Sequence, residues 1–300
     1  MTDALLLELH RRFPQIAVRR LTPAHEKRLG ADWEWWIGSP TDGWLCLRIQ
    51  AKRIYDVGYR ALDHPGEQDG HYQYDTLIDS CQDPYTLPYH VFYNGWEATR
   101  FGELRDNRAD LRALRNNQHF PHEDGPRRRG DDDPRRLGSR LPNWWGCAAM
   151  STYRVAALHS RNQDKPKRVY APRYLRHAMP WSCLFGSDSR MRDLADPSGA
   201  SSMLDQIHQN LLADAAESAR VARHRYDSRH IQLTQQLEAL EQDMDHGEGR
   251  AHRHPELPPY AAMILSRHEP RISFDREFRL YRAPANYALV TDIGTFRSDR

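Results

Sequence analysis

Residues 32–52 read DWEWWI, GSPTDG and WLCLRIQAK, and this stretch has the pattern of two strands around a turn. Two runs rich in aromatic and branched residues flank a segment of Gly, Ser, Pro, Thr and Asp. That pattern is typical of two antiparallel strands joined by a turn. Because side chains alternate between the faces of a strand, one face of the hairpin is predicted to be apolar. Its members are Trp33, Trp35, Ile37, Leu45, Leu47, Ile49 and Ala51.

The opposite face of the hairpin holds most of its polar residues. They are Asp32, Glu34, Arg48, Gln50 and Lys52, interspersed with Trp36 and Cys46. A slip of one residue would turn an apolar face outward, so the parity of the register is fixed. One register of that parity pairs Asp32 with Gln50 and Glu34 with Arg48. A carboxylate, an amide oxygen and an ammonium then meet at one end of the hairpin, where they suit a hard metal ion and a phosphate.

These residues resemble the core of the PD-(D/E)XK nucleases, and most of all the QxK variant of Mrr-type restriction endonucleases. Gly30-Ala31-Asp32 and the run Ile49-Gln50-Ala51-Lys52-Arg53 carry the resemblance, which covers residues 1–102. Many relatives have Glu at the position of Gln50. The amide removes one negative charge from the site.

The resemblance implies an α/β fold with a restriction-endonuclease-like mixed sheet flanked by helices. It also implies a metal-dependent nuclease with Asp32, Gln50 and Lys52 as catalytic residues and Mg²⁺ or Mn²⁺ as the cofactor. Asp32 and Gln50 would hold the metal, and Lys52 would orient the attacking water or stabilise charge. DNA is the substrate that the resemblance favours, in restriction or phage defence. The sequence does not exclude RNA.

Two residues on neighbouring helices are candidates for the same site. Thr22-Pro23 offers an N-cap and a first-turn proline, which predicts a short helix stopped by Gly30. Nucleases of this type often carry a Glu on that helix that assists the metal, so the resemblance makes Glu26 a third metal ligand. A solvated helix glutamate is the alternative. A second helix is predicted to end near Cys81, and the resemblance implies that Gln73 on it can face the site.

Other interpretations of the hairpin stay open. Its polar face could be plain solvated surface with no chemistry. The chain could also be an inactive nucleic-acid- or protein-binding protein that keeps the nuclease fold, since Gln50 leaves few carboxylates at the site. A third interpretation is a structural or interaction protein built around the helical segment 201–245.

Composition narrows the class of protein. Of the 300 residues, 39% are hydrophobic and 28% are charged. The net charge is only +2, so it gives no indication of a nucleic-acid-binding protein. The four cysteines are widely spaced and form no zinc-type pair, which favours buried thiols in a cytoplasmic protein. No stretch approaches the length of a membrane span, so no membrane partner is expected. No Gly-rich nucleotide-binding motif is present.

Three regions are expected along the chain: a nuclease-like core at 1–102, a flexible charged linker or insertion at 103–142 and a C-terminal α/β region at 143–300. The linker contains EDGPRRRGDDDPRRLGSR, which has too little apolar surface to order itself. Apolar spacing predicts an opening helix at 3–13, and strands are expected at 88–94, 260–265 and 287–291.

The C-terminal region offers two candidate interaction surfaces. Its first part interleaves aromatic residues with cations that could contact nucleic acid, namely Lys165, Lys167, Arg168, Arg173 and Arg176. An ordinary basic loop is the alternative. The segment 201–245 has leucine stripes at helical spacing. It predicts long helices that either cover the monomer or form a homodimer interface.

Overall fold

The computed structural model of the chain describes residues 16–20, 30–54, 58–59, 62, 72–81, 86–94, 146–160, 171–181, 253–266 and 287–292. Within them the chain forms a mixed sheet of seven strands with helices packed against it. The α/β class predicted from the sequence is therefore confirmed.

Strands and helices alternate along much of the described chain. In chain order the strands are β1 (Ile16–Arg20), β2 (Trp33–Ser39), β3 (Gly43–Arg53), β4 (Thr86–Tyr93), β5 (Cys147–Ser151), β6 (Met179–Pro180) and β7 (Tyr287–Asp292). The helices are α1 (Gln73–Ser80), α2 (Thr152–Ser160), α3 (Ala171–Leu175) and α4 (Pro259–Ser266). Across the sheet the strands follow the order β1, β7, β2, β3, β4, β5, β6.

The sheet is mixed because two of its strand pairs are parallel. Strand β2 runs parallel to β7 and antiparallel to β3, and β3 runs parallel to β4. A parallel pair needs a crossover connection, and α1 lies in the connection from β3 to β4. Strands from 1–102 and from 143–300 lie side by side in this sheet. The sheet that begins in the predicted core is thus completed by the C-terminal region.

The hairpin has a register of the predicted parity, with Glu34 opposite Arg48. In this register Trp33 pairs with Ile49. The amide of Asp32 donates to the carbonyl of Ile49 at 2.8 Å, one residue out of this register, so Asp32 is attached to β3 just before β2 begins. Gly43, which starts β3, has a φ of +80°, a conformation that side chains with a Cβ rarely adopt.

Both faces of the hairpin are buried, which the sequence pattern did not predict. Glu34 is 0% exposed, and Gln50 and Lys52 are each 4% exposed. Trp36 and Cys46, on the same face, pack against α4 in a cluster with Tyr260, Ala261 and Ile264. The interpretation of this face as solvated surface is therefore wrong, and its polar groups need partners inside the protein.

The prediction of a strand at 260–265 is wrong, because this segment belongs to α4. Pro259 takes the first helical position, where its fixed φ is favourable and its missing N–H costs nothing. The carbonyl of Pro258 accepts from the amides of Ala261 and Ala262. The buried residues Tyr260, Ala261 and Ile264 follow helical spacing rather than the alternation of a strand.

Other predicted elements are confirmed. The strand expected at 287–291 is β7, the helix expected to end near Cys81 is α1, and the strand expected at 88–94 is β4. The apolar run that follows Trp144 divides into β5 and α2. Cys46 and Cys81 are buried and Cys147 is half-buried, and none of the three is in a disulfide within the described residues.

Several predictions fall outside the described residues. They concern the opening helix at 3–13, the helix that carries Glu26, the linker at 103–142 and the long helices at 201–245. In the described part of the chain, no helix has the length and apolarity needed to cross a membrane.

Candidate active site

A row of polar residues crosses the sheet on the face that α1 covers. Asp32 immediately precedes β2 and is hydrogen-bonded to Gln50 on β3, and His90 on β4 is the register partner of Gln50. Residues paired across neighbouring strands project from the same face of a sheet, with Cβ atoms about 5 Å apart. Three chemically active side chains are thus direct neighbours, and Lys52 lies on the same face two residues further along β3.

Asp32 is fixed by its neighbours on β3. Its Oδ2 accepts a hydrogen bond from the amide of Ala51 at 2.6 Å and another from Nε2 of Gln50 at 2.8 Å. Gly30 precedes it with a φ of +66°, and a Cβ there would lie 2.7 Å from the carbonyl oxygen of Gln73. The glycine therefore allows α1 to approach the segment that carries the carboxylate.

Gln50 has one end of its amide bonded and the other end unpaired. Nε2 donates to Asp32, whereas Oε1 is buried and has no hydrogen-bond partner among the described residues. An unsatisfied buried acceptor costs about 1–3 kcal/mol, so its presence requires a reason. A ligand that offers positive charge to this oxygen would supply one.

Lys52 is buried and points its ammonium at α1. Nζ donates to Oε1 of Gln73, the first residue of that helix, at 2.7 Å. At the other end of the helix, the guanidinium of Arg48 donates to the carbonyl of Ser80. Two side chains of β3 thus hold both ends of α1. The structure therefore brings Gln73 against Lys52, on the face where the sequence placed it.

His90 is a member of the row that the sequence analysis did not single out. It is 0% exposed, its Nδ1 lies 3.0 Å from Oγ1 of Thr152, and its buried Nε2 has no partner in the described part of the chain. Burial and then the positive charge of Lys52 hold the pKa of His90 well below its ordinary value, so the imidazole is neutral. The available signal was a polar residue inside an otherwise apolar strand, PYHVFY.

Two side chains at this point of the sheet carry oxygens of the type that a hard cation prefers, although Gln50 presents its amide nitrogen to Asp32. These oxygens are those of the Asp32 carboxylate and the Gln50 amide, and Mg²⁺ prefers a few protein oxygens while keeping several waters. Glu26, the third expected ligand, lies outside the described residues. Within those residues, no group of three or more His, Cys, Asp or Glu side chains is placed to hold a metal ion.

A buried ion pair lies beside this row. Glu34 accepts from Nε of Arg48 at 2.9 Å and from the hydroxyl of Tyr260 at 2.5 Å. Burial, the largest single cause, would lower the pKa of Arg48, but Glu34 together with the nearby Cys81 and Cys46 raises that pKa above its ordinary value. Burial, reinforced by Glu34, raises the pKa of Tyr260 well above its ordinary value. The pair joins the hairpin to α4 and, through Arg48, to the end of α1.

We expect Glu34→Gln to lower the free energy of unfolding by about 2–3 kcal/mol, because charge-assisted hydrogen bonds are worth about 1.5–3 kcal/mol and the guanidinium loses its counter-charge. Urea denaturation measures the change. Tyr260→Phe is the matched control, since it removes only a hydroxyl from the same carboxylate and should have a smaller effect. A loss under about 0.5 kcal/mol for Glu34→Gln would contradict a stabilising role for the pair.

The basic segment expected to contact nucleic acid is described only in part. Arg176 is exposed and Arg173 is half-buried, whereas Lys165, Lys167 and Arg168 lie outside the described residues. Tyr174, between the two arginines, is 0% exposed and packs against Tyr59 and Phe92. That aromatic ring belongs to the core, so it is not accessible to stack on a base.

Residues 1–287 match the model of a family described as a family of unknown function, DUF6615. The match spans nearly the whole chain, and the protein belongs to this family. Searches of curated proteins and of solved structures return no match. The function must therefore be argued from the site itself.

Proposed function

We propose that the protein is a metal-dependent nuclease with a restriction-endonuclease-like fold, which hydrolyses phosphodiester bonds in DNA. The observation that carries this proposal is the group formed by the Asp32 carboxylate, the unpaired oxygen of Gln50 and the buried ammonium of Lys52. All three lie at one end of the β2–β3 hairpin. An anion-binding charge beside a cation-binding oxygen pair is what the hydrolysis of a phosphodiester requires.

Mg²⁺ or Mn²⁺ would be held by Asp32 and Gln50, with Glu26 as a further candidate ligand. Bound there, the metal would activate water and neutralise charge on the phosphate. For both oxygens to reach one ion, the Gln50 amide must turn so that Oε1 replaces Nε2 beside Asp32. This exchange of the two ends is a rotation about the last side-chain bond, which has a broad, roughly two-fold energy profile.

Lys52 would supply positive charge to the phosphate at the moment when its negative charge increases. The ammonium is buried, where charge interactions are stronger than in water. Gln73 holds it from α1, and the amide of Ala51 holds Asp32 from β3. Both charged groups are thus positioned before substrate binds, which limits the reorganisation needed during the reaction.

A second candidate function is nucleic-acid or protein binding without cleavage. Gln50 favours it, because an amide contributes no charge to a metal site, and its nitrogen already neutralises part of the Asp32 carboxylate. An inactive protein of this kind would keep the fold and the anion-binding Lys52 and lose the chemistry. Protein binding through the segment 201–245 is a further form of this alternative.

The two functions differ in a nicking assay on supercoiled plasmid. The nuclease proposal expects conversion to open-circular or linear DNA with Mg²⁺ or Mn²⁺, and no conversion with EDTA. A salt-dependent mobility shift without any cleavage would overturn the nuclease proposal and support the binding protein. A labelled RNA in the same assay shows whether cleavage extends beyond DNA.

A further inference from the structure

Two buried polar atoms on neighbouring strands of the site lack hydrogen-bond partners. Oε1 of Gln50 and Nε2 of His90 are both unpaired among the described residues. The two residues are register partners on the parallel strands β3 and β4. Other such atoms occur among the described residues, but these two lie on residues that are paired in register, which points to a common cause.

The order of the row shows how these atoms are related. Gln50 stands between Asp32 and His90, and its Nε2 is committed to Asp32. Oxygen and nitrogen occupy opposite sides of an amide, so Oε1 is turned away from Asp32. An oxygen on that side is an acceptor only, and it cannot pair with a histidine nitrogen that also carries a lone pair.

The contact with Thr152 is compatible with a tautomer of His90 in which Nε2 is an acceptor. If Nδ1 carries the proton and donates to Oγ1 of Thr152, the neutral ring has its lone pair on Nε2. Both atoms are then acceptors, and both stay unpaired. Turning the Gln50 amide end for end would place Oε1 beside Asp32 and turn the amide N–H toward β4, where Nε2 of His90 can accept it.

We propose that His90 is a positioning residue for the metal site: its Nε2 accepts from the Gln50 amide and so holds Oε1 toward the cation. This inference rests on the proposed function in that it needs a cation at Asp32 and Gln50. It gives the glutamine of the QxK triplet a defined orientation, which a glutamate at that position would not need. A carboxylate presents an oxygen whichever way it turns, whereas an amide presents one in only one of its two orientations.

The test measures Mn²⁺ affinity by isothermal titration calorimetry in four proteins: wild type, His90→Phe, Gln50→Glu and the double variant. Phenylalanine keeps the ring and removes the acceptor. We expect His90→Phe to weaken Mn²⁺ binding about 10- to 100-fold, the range for residues that orient a metal ligand. With glutamate at position 50, the same change should cost less than about threefold, because no amide remains to be oriented.

Met150→Leu is the matched control, since Met150 is the register partner of His90 on β5 and lies on the side away from Gln50. It should leave Mn²⁺ affinity unchanged. Equal losses from His90→Phe in both backgrounds would show a structural role or direct ligation and overturn the inference. An unchanged affinity with Gln50 present would also overturn it. After either of these two results, the proposed function still stands if the wild-type protein binds Mn²⁺ and nicks DNA.

A wild-type protein that binds no Mn²⁺ would overturn the metal site and the inference together. Coupling between His90 and Gln50 in a protein that binds Mn²⁺ without nicking DNA would support the inference and reject the nuclease.

A second measurement does not depend on a variant that folds with full stability. Nitrogen NMR of ¹⁵N-histidine-labelled wild type reports which ring nitrogen of His90 carries the proton, and the signal is assigned by its loss in His90→Gln. We expect the proton on Nδ1. A proton on Nε2 would overturn the inference, because that nitrogen could not accept from Gln50.

Discussion

Replacing Lys52 with methionine is expected to slow Mg²⁺-dependent plasmid nicking by a hundredfold or more, while the protein remains folded. A preorganised charge that stabilises a transition state is worth about 3 kcal/mol of barrier, which corresponds to such a factor. Lys52 is buried, so alanine would leave a cavity, and methionine fills the space better. Single-turnover nicking rates measure the effect, and Asp32→Asn is expected to cause a similar loss.

The matched control is Arg53→Met, at the next position of β3. It removes one positive charge from an exposed side chain on the other side of the strand. Nicking by this variant should stay within about threefold of wild type, since a solvent-exposed charge has little effect on the activation barrier at a distant site. Unfolding of Lys52→Met should need as much urea as wild type, because removal of a buried charge relieves its desolvation. Wild-type nicking by both Lys52→Met and Asp32→Asn would remove this site from the mechanism.

Trp35→Ala should have the opposite signature, a large loss of stability without a specific loss of chemistry. Trp35 lies on the other face of β2, 6% exposed. It stacks on Trp181 with ring centroids 5.6 Å apart, and its Nε1 donates to Oγ1 of Thr291 at 2.9 Å. We expect the free energy of unfolding to fall by about 3–5 kcal/mol, as for other large-to-small changes of buried aromatic residues.

Trp35→Phe separates the ring from its hydrogen bond. It keeps most of the apolar surface and loses the N–H, so a loss of about 1–2 kcal/mol is expected. Urea denaturation measures both variants, and nicking is compared per folded molecule at low temperature. A Trp35→Ala protein that is as stable as wild type would show that this face of the hairpin is not a packed core.

The hairpin was predictable from sequence because two physical constraints act on the same residues. Alternation sets the faces and the Gly- and Pro-rich segment marks the turn, so the parity of the pairing was predictable, and Glu34 opposite Arg48 is one register that this parity allows. The same register placed Gln50 opposite Asp32. The place of Gln73 at the site came from the family resemblance, which puts a helix after the QxK strand.

His90 and the ion pair with Tyr260 could not be predicted in this way. Both depend on contacts between residues that are far apart in the chain, 62 residues for His90 with Thr152 and 226 for Glu34 with Tyr260. Local spacing contains no information on such pairs. The same limit explains α4, because a short apolar run does not distinguish a strand from a buried helix until its packing partners are known.

Diffraction at the manganese absorption edge, from crystals soaked in Mn²⁺ under conditions in which the protein nicks DNA, tests the metal site most directly. We expect an anomalous peak in contact with the Asp32 carboxylate and with Oε1 of Gln50, and with the Gln50 amide turned from its present orientation. Crystals with no manganese at Asp32, and with Nε2 of Gln50 still bonded to its carboxylate, would contradict the metal-dependent nuclease.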